Sequence, residues 1–221
     1  MHDLIIRGGT VVDGTGKASL TADVAVKDGL VVEVGHITEQ AKRTMDAQGL
    51  LVTPGWVDIH THYDGQVSWD PFMSPSSWHG VTTAVMGNCG VGFAPAHTHQ
   101  REWMMELMEG VEDIPGAVLS EGVKWEWESF PEYLDAVAKS PRIMDIGAQI
   151  PHGALRVFVM GERGANREVA TPDDMRSMAA LAKEAISAGA LGFTSSRTFV
   201  HRTKRGAAVP TLGADAQELL T

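Results

Sequence analysis

A pair of histidines, His60 and His62, lies in the segment 54–65, which reads PGWVDIHTHYDG. The mostly apolar residues Trp56–Ile59 favour a buried strand, and side chains two residues apart on a strand project from the same face. The two imidazoles would then converge on one point, and imidazole nitrogen is the commonest protein ligand of divalent metals. The spacing therefore indicates a metal site, with a chance pair of core or surface histidines as the alternative.

A third potential ligand is the single cysteine, Cys89, which follows the strand candidate Val81–Met86. In parallel α/β barrels the C-terminal ends of the strands meet at one face, where these folds place their active sites. Cys89 would therefore lie beside His60 and His62, and thiolate together with imidazole selects a metal such as zinc. Taken alone, an isolated cysteine is more often a small buried apolar residue. The three residues together predict a metal site.

Strands alternate with helices from residue 55 onwards, which is typical of a parallel α/β fold. The strand candidates are Trp56–His62, Val81–Met86, Ile143–Ile150 and Ala190–Thr194. The clearest helix is Asp173–Ala188. Thr171 is a suitable N-cap, Pro172 suits the first helical position and Gly189 suits the end of the helix.

Residues 1–54 predict a separate, all-β region. The strand candidates are Asp3–Ile6, Thr10–Val12, Asp23–Val26 and Leu30–Val34. The first two flank a glycine pair, Gly8–Gly9, which suggests a turn, and the last two flank Asp28–Gly29, a strong hairpin signal. Short strands with tight turns predict part of a small β-sandwich, whose sheet we expect to be incomplete.

A long excursion, residues 94–140, separates the second and third strand candidates. It contains two helix candidates, Arg101–Glu109 and Pro131–Lys139, and Ser129 could cap the second. An insertion of this size over strand ends is usually functional or a lid. Trp125 and Trp127 could line a substrate cleft, although such residues as often pin a loop to the body of the protein.

Composition narrows the classes of partner. The chain has 221 residues with 28 acidic and 18 basic side chains, a net charge of −10. Such a chain offers no basic footprint for nucleic acid and weakly disfavours acidic membranes. No apolar run resembles a secretory signal or a membrane span, and one cysteine excludes an internal disulfide. We therefore expect a cytoplasmic protein that acts on a small molecule and has no nucleic-acid or membrane partner.

Several segments resemble the amidohydrolase superfamily: LIIRGGTVVDGTG, TPGWVDIHTHYDGQ and GVTTAVMGNCGVGFAP. The GNCG segment, WEWESFPEYLDAV and LGFTSSRTFVHRTKRGAAVP are similar to its N-acyl-D-amino-acid deacylase (D-aminoacylase) branch. The resemblance implies an α/β fold, with a partial β-sandwich over 1–54 and the first four β/α units of a (β/α)8 TIM barrel over 55–221. It also implies hydrolysis of the C–N bond of N-acyl-D-amino acids by one or two zinc ions.

The resemblance assigns roles to individual residues. His60, His62 and Cys89 match metal ligands of the branch. Asp58 shares the face of His60 and could orient an imidazole, or it could be an ordinary structural carboxylate. Three cationic side chains after the fourth strand could hold a substrate carboxylate or belong to a solvated loop: Arg197, His201 and Arg202.

The remaining histidines at strand ends are weaker candidates. His152 follows the third strand, and His97 and His99 are expected to be loop residues.

The family pattern requires more than this chain contains. It places further histidines on the fifth and sixth strands and a general-base aspartate on the eighth, all beyond Thr221. We therefore expect a fragment that is inactive alone and self-associates through an open half-barrel.

Three other functions remain open. One is a cyclic-amide hydrolase of the hydantoinase or dihydroorotase type, which the lack of a lysine in the fourth strand, LGFTSS, disfavours. Another is a non-catalytic amidohydrolase-like assembly protein. The last is a half-barrel that works as a dimer.

Overall fold

A computed structural model describes all residues from Met1 to Thr221. The chain forms two compact units, Met1–Gly55 and Trp56–Thr221, and each is described separately below.

The N-terminal unit is a single five-stranded sheet. Its strands are β1 His2–Val11, β2 Leu20–Lys27, β3 Leu30–Gly35, β4 Ala41–Asp46 and β5 Leu51–Val52. The strand order is β3-β2-β1-β4, and β5 pairs in parallel with the end of β1. The β2–β3 hairpin is confirmed: Asp28 and Gly29 both adopt positive φ, which matches the right-handed twist of the strands it joins.

The expected turn at Gly8–Gly9 is wrong, because both glycines lie inside the long strand β1. The pairing of β1 with β2 shifts register between Ile6 and Gly9, and Gly8 has a φ of 67°, as in a β-bulge. A Cβ on Gly9 would overlap the side chain of Val52. These glycines therefore serve a bulge and a close packing contact.

The second unit is part of a parallel barrel. Its strands are β6 Trp56–Asp58, β7 Val81–Met86, β8 Asp145–Ala148, β9 Ile150–Pro151 and β10 Phe193–Thr194. Strands β6, β7 and β8 pair in parallel in that order, and β9 pairs in parallel with β10. The strand positions follow one another around an arc that does not close.

The strands are shorter than the sequence pattern indicated. The first ends at Asp58, so both metal-candidate histidines lie beyond it on a connecting segment. The third is interrupted at Gln149, which still donates its backbone N–H to the Met86 carbonyl. The β-ladders therefore end before the predicted strands do. At Gln149 a single backbone hydrogen bond continues the parallel alignment beyond the ladder.

Seven helices accompany the strands: α1 Arg101–Glu112, α2 Gly116–Gly122, α3 Phe130–Lys139, α4 His152–Met160, α5 Glu162–Ala165, α6 Pro172–Ala188 and α7 Ala216–Leu220. Both predicted caps are present, since Ser129 accepts from the Glu132 N–H and Thr171 from the Asp174 N–H. Helix α6 ends at Gly189, which has a φ of 118°. None of these helices combines the length and the apolar composition that crossing a membrane would require.

Helix α4 was not predicted. Most of its residues are buried, so its sequence, HGALRVFVM, lacks the polar face that reveals an amphipathic helix. It directly follows β9, and the apolar run reads as a continuation of a strand.

The excursion over 94–140 packs into the main core of this unit. Trp127 is 3% exposed and donates its Nε1–H to the Phe93 carbonyl at 2.8 Å. Trp125 packs edge-on against Phe93, and the Arg101 guanidinium lies 5.1 Å from its ring centre. Both tryptophans therefore fix the excursion to Phe93, in the segment that follows β7.

Candidate metal centre

The three sequence-predicted ligands come together at the C-terminal ends of β6 and β7. The Nε2 atom of His60 lies 3.1 Å from the Sγ atom of Cys89. The rings of His60 and His62 have centroids 5.6 Å apart, and donor atoms of all three residues lie within 4.8 Å of one another. Two imidazoles and one thiol form a donor set that zinc accepts.

The residue between the histidines fixes their position. Thr61 is buried, and both its backbone N–H and its hydroxyl donate to the Val85 carbonyl, at 3.0 and 2.8 Å. Asp58 accepts the backbone N–H of His60 at 3.2 Å. In the structure this carboxylate thus holds the main chain that carries the imidazole, whereas the sequence suggested a contact with the imidazole itself.

A strained turn presents Cys89. The residues Gly87, Cys89 and Gly90 have φ values of 80°, 55° and 70°. A Cβ on Gly87 would overlap the Gln149 carbonyl oxygen, so glycine is required there by both conformation and space. Cys89 has a Cβ and yet adopts the left-handed conformation, which persists only where the surroundings define it.

Two polar side chains define that turn. Asn88 donates to the carbonyls of Thr61 and Val85 at 3.1 and 2.9 Å and accepts from the Gln149 amide at 2.9 Å. Thr194, in β10, donates its hydroxyl to the Gly87 carbonyl.

The same Thr194 hydroxyl accepts the Gly90 N–H at 3.2 Å. Thr194 of β10 therefore binds both ends of the Cys89 turn, at Gly87 and Gly90. Asn88 links the same turn to Thr61 and Val85.

Burial controls the charge of the donors. The pKa of His62 is lowered to about 4, first by burial and then by the neighbouring His60 and His201, so its ring is neutral at pH 7. Burial, and then the charge of Glu112, raises the pKa of the Cys89 thiol. The His62 Nδ1 atom is buried without a hydrogen-bond partner. Neutral imidazole is the form that binds metals, and a divalent cation would offset the cost of forming the thiolate.

Glu112 is a site residue that the sequence did not reveal. It is the last residue of α1, and its Oε1 atom lies 3.7 Å from the His62 Nε2 atom. Burial, with a smaller effect of Asp113, raises the pKa of its carboxyl group. Nothing in the segment REWMMELMEGVE distinguishes this glutamate from the others.

An open cleft of about 260 Å³ joins this carboxylate to the predicted ligands. Its walls are formed by Asp58, His60, Thr61, His62, Tyr63, Gln66, Ser76, Glu112 and Ile114.

Asp64 is a buried carboxylate two residues after His62. It is 2% exposed, its Oδ2 atom has no hydrogen-bond partner, and burial raises the pKa of its carboxyl group to about 7. Its Oδ1 atom would lie 2.8 Å from a Cβ on Gly92, so glycine there leaves room for the carboxylate.

The predicted substrate-binding residues separate into two groups. The His201 ring lies 6.3 Å from the His62 ring, and its Nδ1 atom is buried without a partner. Arg197 instead donates to the Ala214 carbonyl at 2.6 Å. Arg202 donates to the carbonyls of Phe199 and Gly206. His201 therefore adjoins the metal candidates, while both arginines hold the backbone of their own region.

His152 belongs to a different cluster. Its Nε2 atom lies 2.7 Å from a Glu218 carboxylate oxygen and its Nδ1 atom 2.9 Å from the Ser195 hydroxyl. The fully buried Arg156 forms an ion pair with the same glutamate. His97 and His99, which precede α1, stack on each other.

The sequence and the fold agree with one protein family. Residues 43–221 match the family model described as the amidohydrolase family. This chain belongs to the amidohydrolase family. The resemblance drawn from the sequence motifs is thereby confirmed.

Individual amidohydrolases match along the chain. The D-aminoacylase of Alcaligenes xylosoxydans xylosoxydans is 33% identical over 195 residues, which are 87% of this chain and 37% of that protein. A D-aminoacylase structure with a binuclear metal centre matches with a TM-score of 0.80 at 32% identity. The match covers 100% of this chain and 42% of the D-aminoacylase chain.

An N-acyl-D-glutamate deacylase from Bordetella bronchiseptica, complexed with zinc and a phosphonate inhibitor, has a TM-score of 0.74 at 28% identity. This match covers 99% of this chain and 41% of the deacylase chain. The chain thus spans well under half the length of these relatives and has the fold of the corresponding part of an amidohydrolase barrel.

Proposed function

We propose that this protein hydrolyses the C–N amide bond of N-acyl-D-amino acids at a zinc site formed by His60, His62 and Cys89. The convergence of these donors within 4.8 Å at adjacent strand ends carries the proposal. Similarity to D-aminoacylase over 87% of the chain supports the substrate class. Because the chain spans 37% of that relative, the activity is proposed for the whole protein.

The residues of this chain have distinct roles in the proposed site. His60, His62 and Cys89 would hold zinc, which, when bound, supplies Lewis acidity towards the amide carbonyl and activates water. Burial keeps His62 neutral, so that its ring nitrogen remains available as a donor. The Thr61 bonds to Val85 hold the main chain that carries both imidazoles. Such preorganisation lowers the cost of binding.

Substrate recognition is proposed for His201, which adjoins His62 and whose ring N–H can donate a hydrogen bond to the carboxylate of an acyl amino acid. Arg197 and Arg202 remain candidates for the same carboxylate, but each would first have to release its backbone carbonyl. The general base is proposed to be the aspartate that the family places on the eighth barrel strand.

The open edges of the half-barrel suggest how the isolated chain behaves. Val57, Ile59 and Leu191 are exposed by 58, 71 and 65% beside the outer strands β6 and β10. Exposed apolar side chains at unpaired strand edges favour association. We propose that the 221-residue chain self-associates there, and a monodisperse monomer in multi-angle light scattering would contradict this.

We propose a cytoplasmic location from the composition of the chain, whose one cysteine is assigned to metal binding.

Metal content tests the proposed site. We expect the purified chain to retain about one zinc ion per chain, measured by mass spectrometric metal analysis. The variants His60→Ala and Cys89→Ala should lose the zinc while circular dichroism shows that their fold is intact. The matched control is His99→Ala, an exposed histidine on the excursion. Equal zinc in wild type and Cys89→Ala would refute the site.

Activity tests the substrate class. The whole protein should release D-amino acids from N-acetyl-D-amino acids, and their L-enantiomers should react far more slowly. The 221-residue chain alone should release none. Hydrolysis by this chain that Cys89→Ala abolishes would show instead that the half-barrel is sufficient.

A further inference from the structure

A buried polar cluster outside the candidate metal centre consists of His152, Arg156 and Glu218, here called the His152 cluster. Arg156 is fully buried, and the side chains of His152 and Glu218 are only 2 and 1% exposed. Glu218 forms an ion pair with Arg156 and lies 2.7 Å from the Nε2 atom of His152. Buried charges persist when they are paired and hydrogen-bonded, and removing one partner is costly. The His152 cluster is therefore a firmly held part of the second unit.

The charge of Glu218 determines how the His152 ring bonds to its neighbours. Burial alone would raise the pKa of the Glu218 carboxyl group, but hydrogen bonds from His152 and Arg156 outweigh burial and lower it, so the group is ionised at pH 7. An ionised carboxylate only accepts hydrogen bonds, so the His152 Nε2 atom carries a proton. The Nδ1 atom of the same ring lies 2.9 Å from the Ser195 hydroxyl, and in the neutral ring it accepts the Ser195 O–H. His152 therefore connects Glu218 to Ser195.

Ser195 is joined directly to the residue that holds the Cys89 turn. Its chain neighbour Thr194 donates its hydroxyl to the Gly87 carbonyl, and the same hydroxyl accepts the Gly90 N–H at 3.2 Å. A Cβ on Gly90 would lie 3.2 Å from the Ser195 Cα atom, so the two main chains pack closely. A shift of Ser195 would therefore disturb both this hydroxyl bridge and the turn that presents Cys89.

The first turn of helix α4 also contacts the Cys89 turn. A Cβ on Gly153 would overlap the Gly90 carbonyl oxygen, so glycine is required for this close approach. Gly153 directly follows His152 in the chain. Helix α4 thus meets the Cys89 turn in two ways, directly at Gly153 and through the bond from His152 to Ser195.

We propose that His152 is a positioning residue for Cys89: it holds Ser195 in place, and the main chain at Ser195 and Thr194 holds the turn that carries the thiol. The inference rests on the proposed zinc site, in which the thiolate must point at the same cation as the two imidazoles. Cys89 has a φ of 55°, a conformation that persists only where its surroundings define it. The His152 cluster supplies such surroundings, although none of its members is a proposed metal ligand.

The reactivity of Cys89 and its cobalt complex test this role in the 221-residue chain. Ser195→Ala removes the hydroxyl that His152 binds. We expect this variant to speed the labelling of Cys89 by a thiol reagent in the metal-free chain. We also expect it to weaken cobalt affinity by about 10-fold and to change the thiolate-to-cobalt charge-transfer band in the near ultraviolet.

The matched control is Ser129→Ala, the same substitution at another partly buried serine. Ser129 accepts the Glu132 N–H at the start of α3, so this variant also loses one hydrogen bond and some stability. We expect Ser129→Ala to keep the wild-type labelling rate, cobalt affinity and charge-transfer band. Equal labelling rates and equal cobalt affinities in the two variants would overturn the proposal.

A double-mutant cycle tests the bond between His152 and Ser195. His152→Gln keeps a donor near the position of Nε2 for Glu218 and leaves the position of Nδ1 empty. Because it breaks the same bond as Ser195→Ala, the double variant should label at about the rate of the faster single variant. Rate increases that multiply in the double variant would show independent effects and would overturn the proposed link. If Ser195→Ala does not fold, His152→Gln is compared with Ser129→Ala instead.

The outcomes also separate this inference from the proposed zinc site. If wild type gives a thiolate band with cobalt and Ser195→Ala leaves the labelling rate and the band unchanged, the positioning role fails, while the zinc site stands. If wild type gives no thiolate band, the zinc site fails. The labelling rates of the metal-free chains then still decide whether the His152 cluster positions Cys89.

Discussion

The two sides of the cleft are built differently. On the metal side, Asn88 of the Cys89 turn donates to the carbonyls of Thr61 and Val85, and Thr194 of β10 accepts the Gly90 N–H of the same turn. On the side of the segment 195–209, which carries His201, the hydrogen bonds of residues 198–202 are local, and Phe199 and Val200 are 72 and 82% exposed. The candidate metal donors are therefore held from several directions, whereas the exposed residues Phe199 and Val200 have few contacts that oppose rearrangement.

Glycine substitutions give the largest expected contrast between the two sides. Gly87 and Gly206 have similar φ values, 80° and 85°, but a Cβ meets the Gln149 carbonyl at Gly87 and open space at Gly206. We expect Gly87→Ala to lower the free energy of unfolding by about 2–4 kcal/mol and Gly206→Ala by about 1 kcal/mol. Urea unfolding measures both free energies. Equal losses would contradict the difference in packing around the two glycines.

Threonine substitutions should give a smaller contrast. Thr194→Val removes the hydroxyl that bridges Gly87 and Gly90, and it leaves two main-chain groups without a partner at an expected cost of about 1–3 kcal/mol. The control, Thr198→Val, loses one bond in an exposed segment, to the Val200 N–H, and should change stability by less than about 0.5 kcal/mol.

The same pair of variants reports on Cys89 directly. Because Cys89 is the single cysteine, the rate of its labelling by a thiol reagent measures how firmly the turn is held. Thr194→Val should speed the labelling, and Thr198→Val should leave the rate unchanged. A wild-type rate in Thr194→Val would mean that Thr194 does not control the position of the thiol.

Local chemistry explains which parts of the fold were predictable. The caps Ser129 and Thr171 act through backbone groups only three residues away, so sequence spacing is sufficient to locate them. The Asp28–Gly29 hairpin is local in the same sense. Helix α4 and the bulge at Gly8 depend on burial and on pairing with distant strands, which one short segment does not encode.

The site divides in the same way. His60, His62 and Cys89 could be predicted because strand ends in a parallel fold meet at one edge, whatever the details of the loops. Glu112 could not be predicted, since its place depends on how a helix of the excursion packs on a segment about ninety residues later, through Gly110 and Arg202. Asp58 lies near His60 as predicted, but its carboxylate accepts the His60 main-chain N–H instead of contacting an imidazole.

The satisfied state of Asn88 has a consequence for how such a protein can evolve. Its amide donates to two carbonyls and accepts from a third group, and aspartate or leucine of similar size cannot reproduce this pattern. A lineage can therefore exchange exposed residues such as Phe199 and Val200 one at a time. Asn88 must instead be retained, because its amide is the hydrogen-bond partner of the Thr61 and Val85 carbonyls.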